Sequence, residues 1–428
     1  MASATTSRKS PSKSGGPSRA KPLQSTGFLR NALTLLCTFA VAAAVLILLT
    51  QDILHYDQWH VDKLVNPSML EGLSWLHGRL DIPLRGGDTA SVDGKTYNVF
   101  PPLFSVISSL VIAIVHAATG KNSFPGWLYT VLLLGPLIAS AFWAFLTCTG
   151  SPWKAVVMVV MLIAGTALLP QMVACQRGWI WQTNQVLSQV GLLLIAGDCL
   201  GKKRLWPSLL GLLICAWTRQ LTVLLAAPIL LILARRKAQW LCAGLTIAMI
   251  LAVPMMLSDL KFGSPFDSGY ARIYAGRSDP PAQRAAHGLF AARFIPENFY
   301  YMNLCPPVIW QGGSLHIEPN DWGNSIWIGT PILLYVFIAF NQWWREPARR
   351  ILLLGVVPVV LMILMYHTTG WVQAGHYRFS LDFLPIVLAV VAPYVWGRWR
   401  TPLTIAMLAW SVIYFRWTAQ LFAGSVFQ

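Results

Sequence analysis

Eleven apolar windows dominate this chain and constrain its fold more than any other feature. They fall near 28–50, 99–118, 126–148, 153–170, 180–200, 205–234, 239–257, 327–344, 350–366, 378–396 and 402–421. A helix needs about 20 apolar residues to cross a hydrocarbon core of about 30 Å. Within a bilayer only helices and closed barrels satisfy every backbone polar group. Charged residues make up 11% of the chain and hydrophobic ones 55%, whereas globular domains carry about 25% charged residues. The expected fold class is an all-α integral membrane protein with about 11 transmembrane helices.

The charges set an expected orientation. Residues 1–27 hold Ser, Pro, Gly and five bases without an acid, the composition of a disordered cytoplasmic tail. The apolar run that follows is too long for a signal-peptide core and reads as an uncleaved first span. With that tail inside, the bases Arg235-Arg236-Lys237, Arg345 with Arg349-Arg350, and Arg398 with Arg400 all fall on the cytoplasmic side, as the positive-inside rule requires. The polytopic domain then covers residues 28–428, and its long polar loops 51–98 and 258–326 lie outside. Lys202-Lys203-Arg204 disagrees, because the same count puts it outside too. Either one of the windows 153–170 and 180–200 does not cross, or these bases serve an anionic partner on the outer face. The net charge of +16 comes without any nucleic-acid motif, so loop charge explains it and nucleic acid is not an expected partner. Seven cysteines without a CxxC pair read as buried thiols.

The acids concentrate in the two outer loops. Asp52, Asp57, Asp62, Glu71, Asp81, Asp88 and Asp93 occupy the first, and six more occupy the second, making 13 of the 16 in the chain. Solvation of long loops accounts for most of them. Charges inside the apolar windows are few, and such charges usually face a cavity or a partner. Arg219 stands midway along 205–234, a window about 45 Å long as a helix, so a tilted or broken helix with Arg219 on a cavity is expected. Arg378 and Asp382 are four residues apart and would share a helix face, where a mutual ion pair competes with a binding role. Val61, Leu64, Val65, Met69, Leu70, Leu73 and Leu76 recur at helical spacing, which predicts an interfacial amphipathic helix over 59–80. Asp93-Gly94 predicts a tight turn.

Order and motifs together suggest a family. A first span is followed by an acidic outer loop with a surface helix and Gly78-Arg79-Leu80-Asp81. Tyr97-Asn98-Val99-Phe100-Pro101-Pro102-Leu103 then leads into the second window. This arrangement resembles membrane glycosyltransferases of the GT-C class, among them the protein O-mannosyltransferases and the lipid A aminoarabinose transferase. The segments from Phe262 to Tyr270 and from Tyr377 to Pro385 resemble stretches recurrent in bacterial members. Many members have Asp-Glu in the first loop where this chain has Asp57-Gln58, leaving one strong base candidate.

The resemblance implies a GT-C-like fold and transfer of a sugar, with inversion, from a polyprenyl-phosphate donor to a glycan, lipid or protein acceptor at the outer face of the cytoplasmic (inner) membrane. A carboxylate must take the acceptor's proton, and cations must steady the departing phosphate. Asp57 is the expected base. Arg219 and Arg378 are the expected phosphate partners, with Arg177 and Lys202 behind them. His376, Tyr377, Tyr97, Pro101, Pro102, Arg79, Asp81 and Tyr270 are the remaining candidates for shaping or binding. His55, Asp57 and His60 could offer three ligands to a divalent metal, but their spacing does not converge on one face, so no cofactor is assigned. Two rival functions remain. A transporter or lipid flippase predicts paired charges deep in several spans, whereas the sequence shows mainly Arg219 there. A scaffold subunit that has lost catalysis is consistent with Gln58.

Overall fold

Apolar length and helix-breaking residues together determine the architecture. A computed structural model describes residues 59–60, 66–84, 88–175, 180–311, 313–317, 320–369 and 375–427, with 32–33, 36 and 40. The chain is mostly helical. Among the described residues, three helices are long and apolar enough to cross a membrane. These are α3 (Gly126–Thr149), α9 (Lys237–Phe262) and α10 (Pro347–Met365). The basic tail and the first apolar window lie, almost entirely, outside the described residues.

Several windows do not form single crossing helices. Window 99–118 becomes α2 (Leu103–Thr119), and the chain is soon back at its start, with Phe124 and Phe104 ring centroids 6.2 Å apart. Window 153–170 divides into α4 (Pro152–Ala164) and α5 (Leu168–Cys175). Window 327–344 breaks into four short turns. Window 378–396 begins as a 3-10 turn, Arg378–Asp382, before α11 (Leu384–Val391). The last described helix, α12 (Arg400–Phe427), packs on α5.

Window 205–234 doubles back. Helix α6 (Ile180–Leu200) runs from Trp181, on the central cavity, to a far end where Gly201 packs against Thr147. Helix α7 (Trp206–Ala216) returns from that far end, stops before Arg219, and hands over to the 3-10 turn Gln220–Leu225 and α8 (Ala226–Leu233). The 26 residues of α9 then span about 39 Å at 1.5 Å each, from Lys237 to Phe262, which meets Tyr97 beside the cavity. Both basic flanks, Lys202–Arg204 and Arg235–Lys237, therefore sit at the end of the molecule opposite the two polar loops. Their positions remove the conflict that a one-window, one-crossing count creates at Lys202.

The break at Arg219 is possible because its backbone groups find partners, which burial in an apolar setting demands. Leu103 N–H donates to Trp217 O (3.0 Å), and the Thr222 hydroxyl donates to Arg219 O (2.6 Å). Pro254 inside α9 cannot donate to Ile250 O, and Trp217 Nε1 supplies that bond instead at 2.8 Å.

The helix of the first loop folds against another helix and does not lie on a surface. Helix α1 (Pro67–Leu76) starts on an Asn66 cap and buries Pro67, Ser68, Met69, Leu70, Glu71, Gly72 and Ser74. It packs on α2 so closely that a Cβ at Gly72 would meet Ser105 O at 2.8 Å. The expected interfacial helix over 59–80 is thus shorter and buried, because Ser68, Glu71 and Gly72 make its second face a contact surface. Strands β1 (Thr89–Val92) and β2 (Lys95–Asn98) form an antiparallel hairpin turned by Asp93 (φ 50°) and Gly94 (φ 76°), as the Asp-Gly pair predicts.

Candidate functional site

Residues from both polar loops and two broken windows converge on one cavity. Its volume is about 160 Å³, and its walls include Asp88, Phe100, Pro101, Trp181, Arg219, Tyr270, Tyr274, Tyr366, Arg378 and Phe379. The two loops meet at its rim, where Arg277 lies 3.6 Å from Asp88.

The hairpin positions one side. Thr89 pairs with Asn98 in register, so Asp88 and Phe100-Pro101 both leave the hairpin at its open end. Asn98 bends the chain there, its Oδ1 accepting from Phe100 N–H at 3.0 Å. Beneath it, Glu71 and Lys261 form a buried ion pair. Asn98 Nδ2 (2.7 Å) and the Ser105 hydroxyl (2.6 Å) donate to Glu71 Oε2, and Lys261 Nζ donates to Asn98 O (3.0 Å). This network joins α1, β2, α2 and α9 under the cavity. Tyr270 arrives through Gly269, whose φ of 75° and close approach to Phe262 leave no room for a side chain.

The cationic wall comes from the helix breaks. Arg219 makes a two-pronged pair with Asp382, Nε to Oδ1 at 2.9 Å and Nη2 to Oδ2 at 2.6 Å. Asp382 is fully buried while Arg219 keeps 19% exposure toward the cavity. The Phe379 ring lies 4.9 Å from the Arg219 guanidinium and 5.2 Å from that of Arg378, within the range of cation–π attraction. Trp181 adds a second ring 5.9 Å from Arg378. Two glutamines one turn apart on α6 hold the 3-10 turn from behind. Gln185 Nε2 donates to Arg378 O and Gln189 Nε2 to Leu381 O, each at 3.0 Å.

The expected Arg378–Asp382 pair is not what forms. The residues lie in a 3-10 turn, where about three residues complete a revolution, so positions four apart do not share a face. Asp382 goes to Arg219 instead.

Asp88 is the carboxylate among the cavity-lining residues. Burial raises its pKa above the ordinary carboxylate value, partly opposed by Arg277 and Arg378. Burial also pushes the Tyr270 phenol up to about 12 and Tyr274 higher still, so both stay neutral hydrogen-bonding groups. The site can hold an anion between guanidinium groups and present a carboxylate of raised basicity to a nearby hydroxyl.

The sequence candidates divide into groups. Arg219, Arg378, Tyr270 and Pro101 line the cavity. His376 and Tyr377 line a separate small hollow with Thr330 and Tyr414, and His376 Nε2 is 2.7 Å from Gln171 Nε2. Tyr97 is half-buried, edge-on to Phe262 at 5.9 Å. Arg79 pairs with Asp81 at 2.5 Å, and Arg79 and Pro102 line a different groove. Lys202 lies past the far end of α6, about 30 Å from Trp181 by helix rise, so it does not back the site. Asp57, His55 and Arg177 fall outside the described residues, as does the side chain of His60. Among the described residues, no group of three or more His, Cys, Asp or Glu is arranged to hold a metal.

Sequence reasoning passed over Asp88 as one loop acid among seven, and it passed over Tyr274, Tyr366 and Trp181. The signal for the support behind the site was visible: Gln182, Gln185 and Gln189 repeat at helical spacing in an otherwise apolar window. Comparison with family models, curated proteins and solved structures gave no match to this chain.

Proposed function

We propose that the protein is a membrane glycosyltransferase, moving a sugar from a polyprenyl-phosphate donor to an acceptor hydroxyl at the extracytoplasmic face, with inversion. One observation carries the reading. Arg219 and Arg378, 159 positions apart, share one ring and one cavity with the loop carboxylate Asp88. The guanidinium groups bind the donor phosphate and take up the charge it gains as the sugar–oxygen bond breaks. A carboxylate of the first loop accepts the proton of the attacking hydroxyl. Asp88 is the cavity's candidate for that step, and Asp57 is the candidate derived from the sequence.

The test is sugar transfer by purified protein from a polyprenyl-phosphate donor. Asp88→Asn is expected to lower kcat by at least about 100-fold, the usual scale for losing a general base. Because Asp88 has a raised pKa, the wild-type rate should fall with acidification at a higher pH than a solvated carboxylate near 3.9. Below that point the base is protonated and cannot accept. Asp57→Asn is measured alongside. Unchanged turnover in both variants removes the carboxylate mechanism.

A transporter or flippase is the second reading, and one observation favours it. Arg219 and Asp382 form a buried charge pair where two apolar windows break, one instance of the paired charges that reading expects. Substrate movement into liposomes without covalent product would replace the transferase proposal.

A further inference from the structure

A second depression lies on the other side of the Pro101–Pro102 segment. It is an open groove of about 380 Å³, with walls that include Arg79, Leu80, Pro102, Val253 and Met256. We propose that this groove holds one acyl chain of an anionic phospholipid, with the lipid's phosphate at Arg79.

Three observations point to that occupant. The outer wall is the last part of α9, a 26-residue helix whose most apolar 18-residue stretch is only 11% buried in the protein. A helix of that length and composition faces lipid tails, so the groove opens onto acyl chains. The lining is apolar except at one end, where Arg79 keeps 56% of its side chain exposed. Asp81 engages that guanidinium through Nε and Nη2, and Lys95 lies close enough to act on Asp81. Asp81 does not engage Nη1, so the exposed guanidinium keeps donors for one phosphate oxygen. Arg79 was a sequence candidate for the sugar-transfer site, and its position on this groove gives it a different anion.

The experiment is native mass spectrometry of the full-length protein in mild detergent, loaded in parallel with phosphatidylglycerol or phosphatidylcholine. Wild type should retain phosphatidylglycerol about fivefold better, the effect of one cation on an anionic headgroup. Arg79→Gln should abolish the preference while leaving some retention of both lipids. Asp81→Asn, which frees the guanidinium, should increase the preference, an effect that mere loss of structure would not produce. Val253→Trp should fill the groove and lower retention of both. Equal retention of the two lipids by wild type, or a preference unchanged in Arg79→Gln and Asp81→Asn, overturns the proposal. The readout is bound lipid, so neither result bears on sugar transfer.

Discussion

His367 shows how one side chain can make stability depend on pH. It is fully buried, with the Tyr274 ring 4.8 Å away on one side and the Tyr366 ring 4.4 Å away on the other. Burial lowers its pKa to about 4. An unfolded histidine titrates near 6.5, so between those values the unfolded chain binds a proton that the folded chain refuses. The stability contribution is complete above about pH 6.5 and declines as pH falls toward 4. Acidifying from pH 7.5 to 5 should cost about 2 kcal/mol from this group alone. Thermal unfolding in detergent at the two pH values, compared with His367→Phe, measures it. The variant should lose less stability on acidification than the wild type. Arg219 carries a related lesson at the same scale. Its type and place in an apolar window pointed to a cavity, but its carboxylate partner is 163 positions away, and no local spacing reveals such a pairing.

Helix contacts depend on small residues. Gly191 of α6 and Gly211 of α7 face each other so closely that a Cβ on Gly191 would lie 2.5 Å from Gly211 O and 2.7 Å from Cys215 Sγ. Such contacts let backbones approach where lipid leaves little hydrophobic drive for association. Gly191→Ala should destabilise the protein by about 1–3 kcal/mol, the usual cost of overpacking. Gly244 in α9 has nothing within 4 Å of the added carbon, and Gly244→Ala should be neutral or gain up to about 1 kcal/mol from helix propensity. Unfolding midpoints of the two variants make the comparison. At this scale the sequence was informative about where helices lie and much less about where they bend. Apolar runs announced α3, α9 and α10, and Asp93-Gly94 announced the hairpin. Periodicity could not show that 205–234 turns back at Arg219. The partners that make the break tolerable, Leu103, Trp217 and Ile250, come from three separate windows. The burial of α1 was hidden for a similar reason: Glu71 looks like a solvated acid until Lys261, 190 residues on, is placed beside it.

The whole molecule has two chemically distinct ends. One carries the polar loops and the cavity, and the other gathers the bases of 202–204 and 235–237. A topology in which each window crosses once separates these two basic groups, whereas the folded chain puts them together. Lys202→Cys and Lys237→Cys, each in a cysteine-free background, should therefore both resist a membrane-impermeant thiol reagent in intact cells. Phe266→Cys in the second polar loop, where Phe266 is 85% exposed, should react. Opposite behaviour of the first two would restore the one-window, one-crossing topology. At the first end, the hollow and the groove meet at a pair of successive imino acids, Pro101 lining one and Pro102 the other. Two rings with fixed φ make a stiff partition. If an acyl chain occupies the groove as proposed, it lies against one side of that partition, and lipid composition should then alter how tightly the cavity holds an anion.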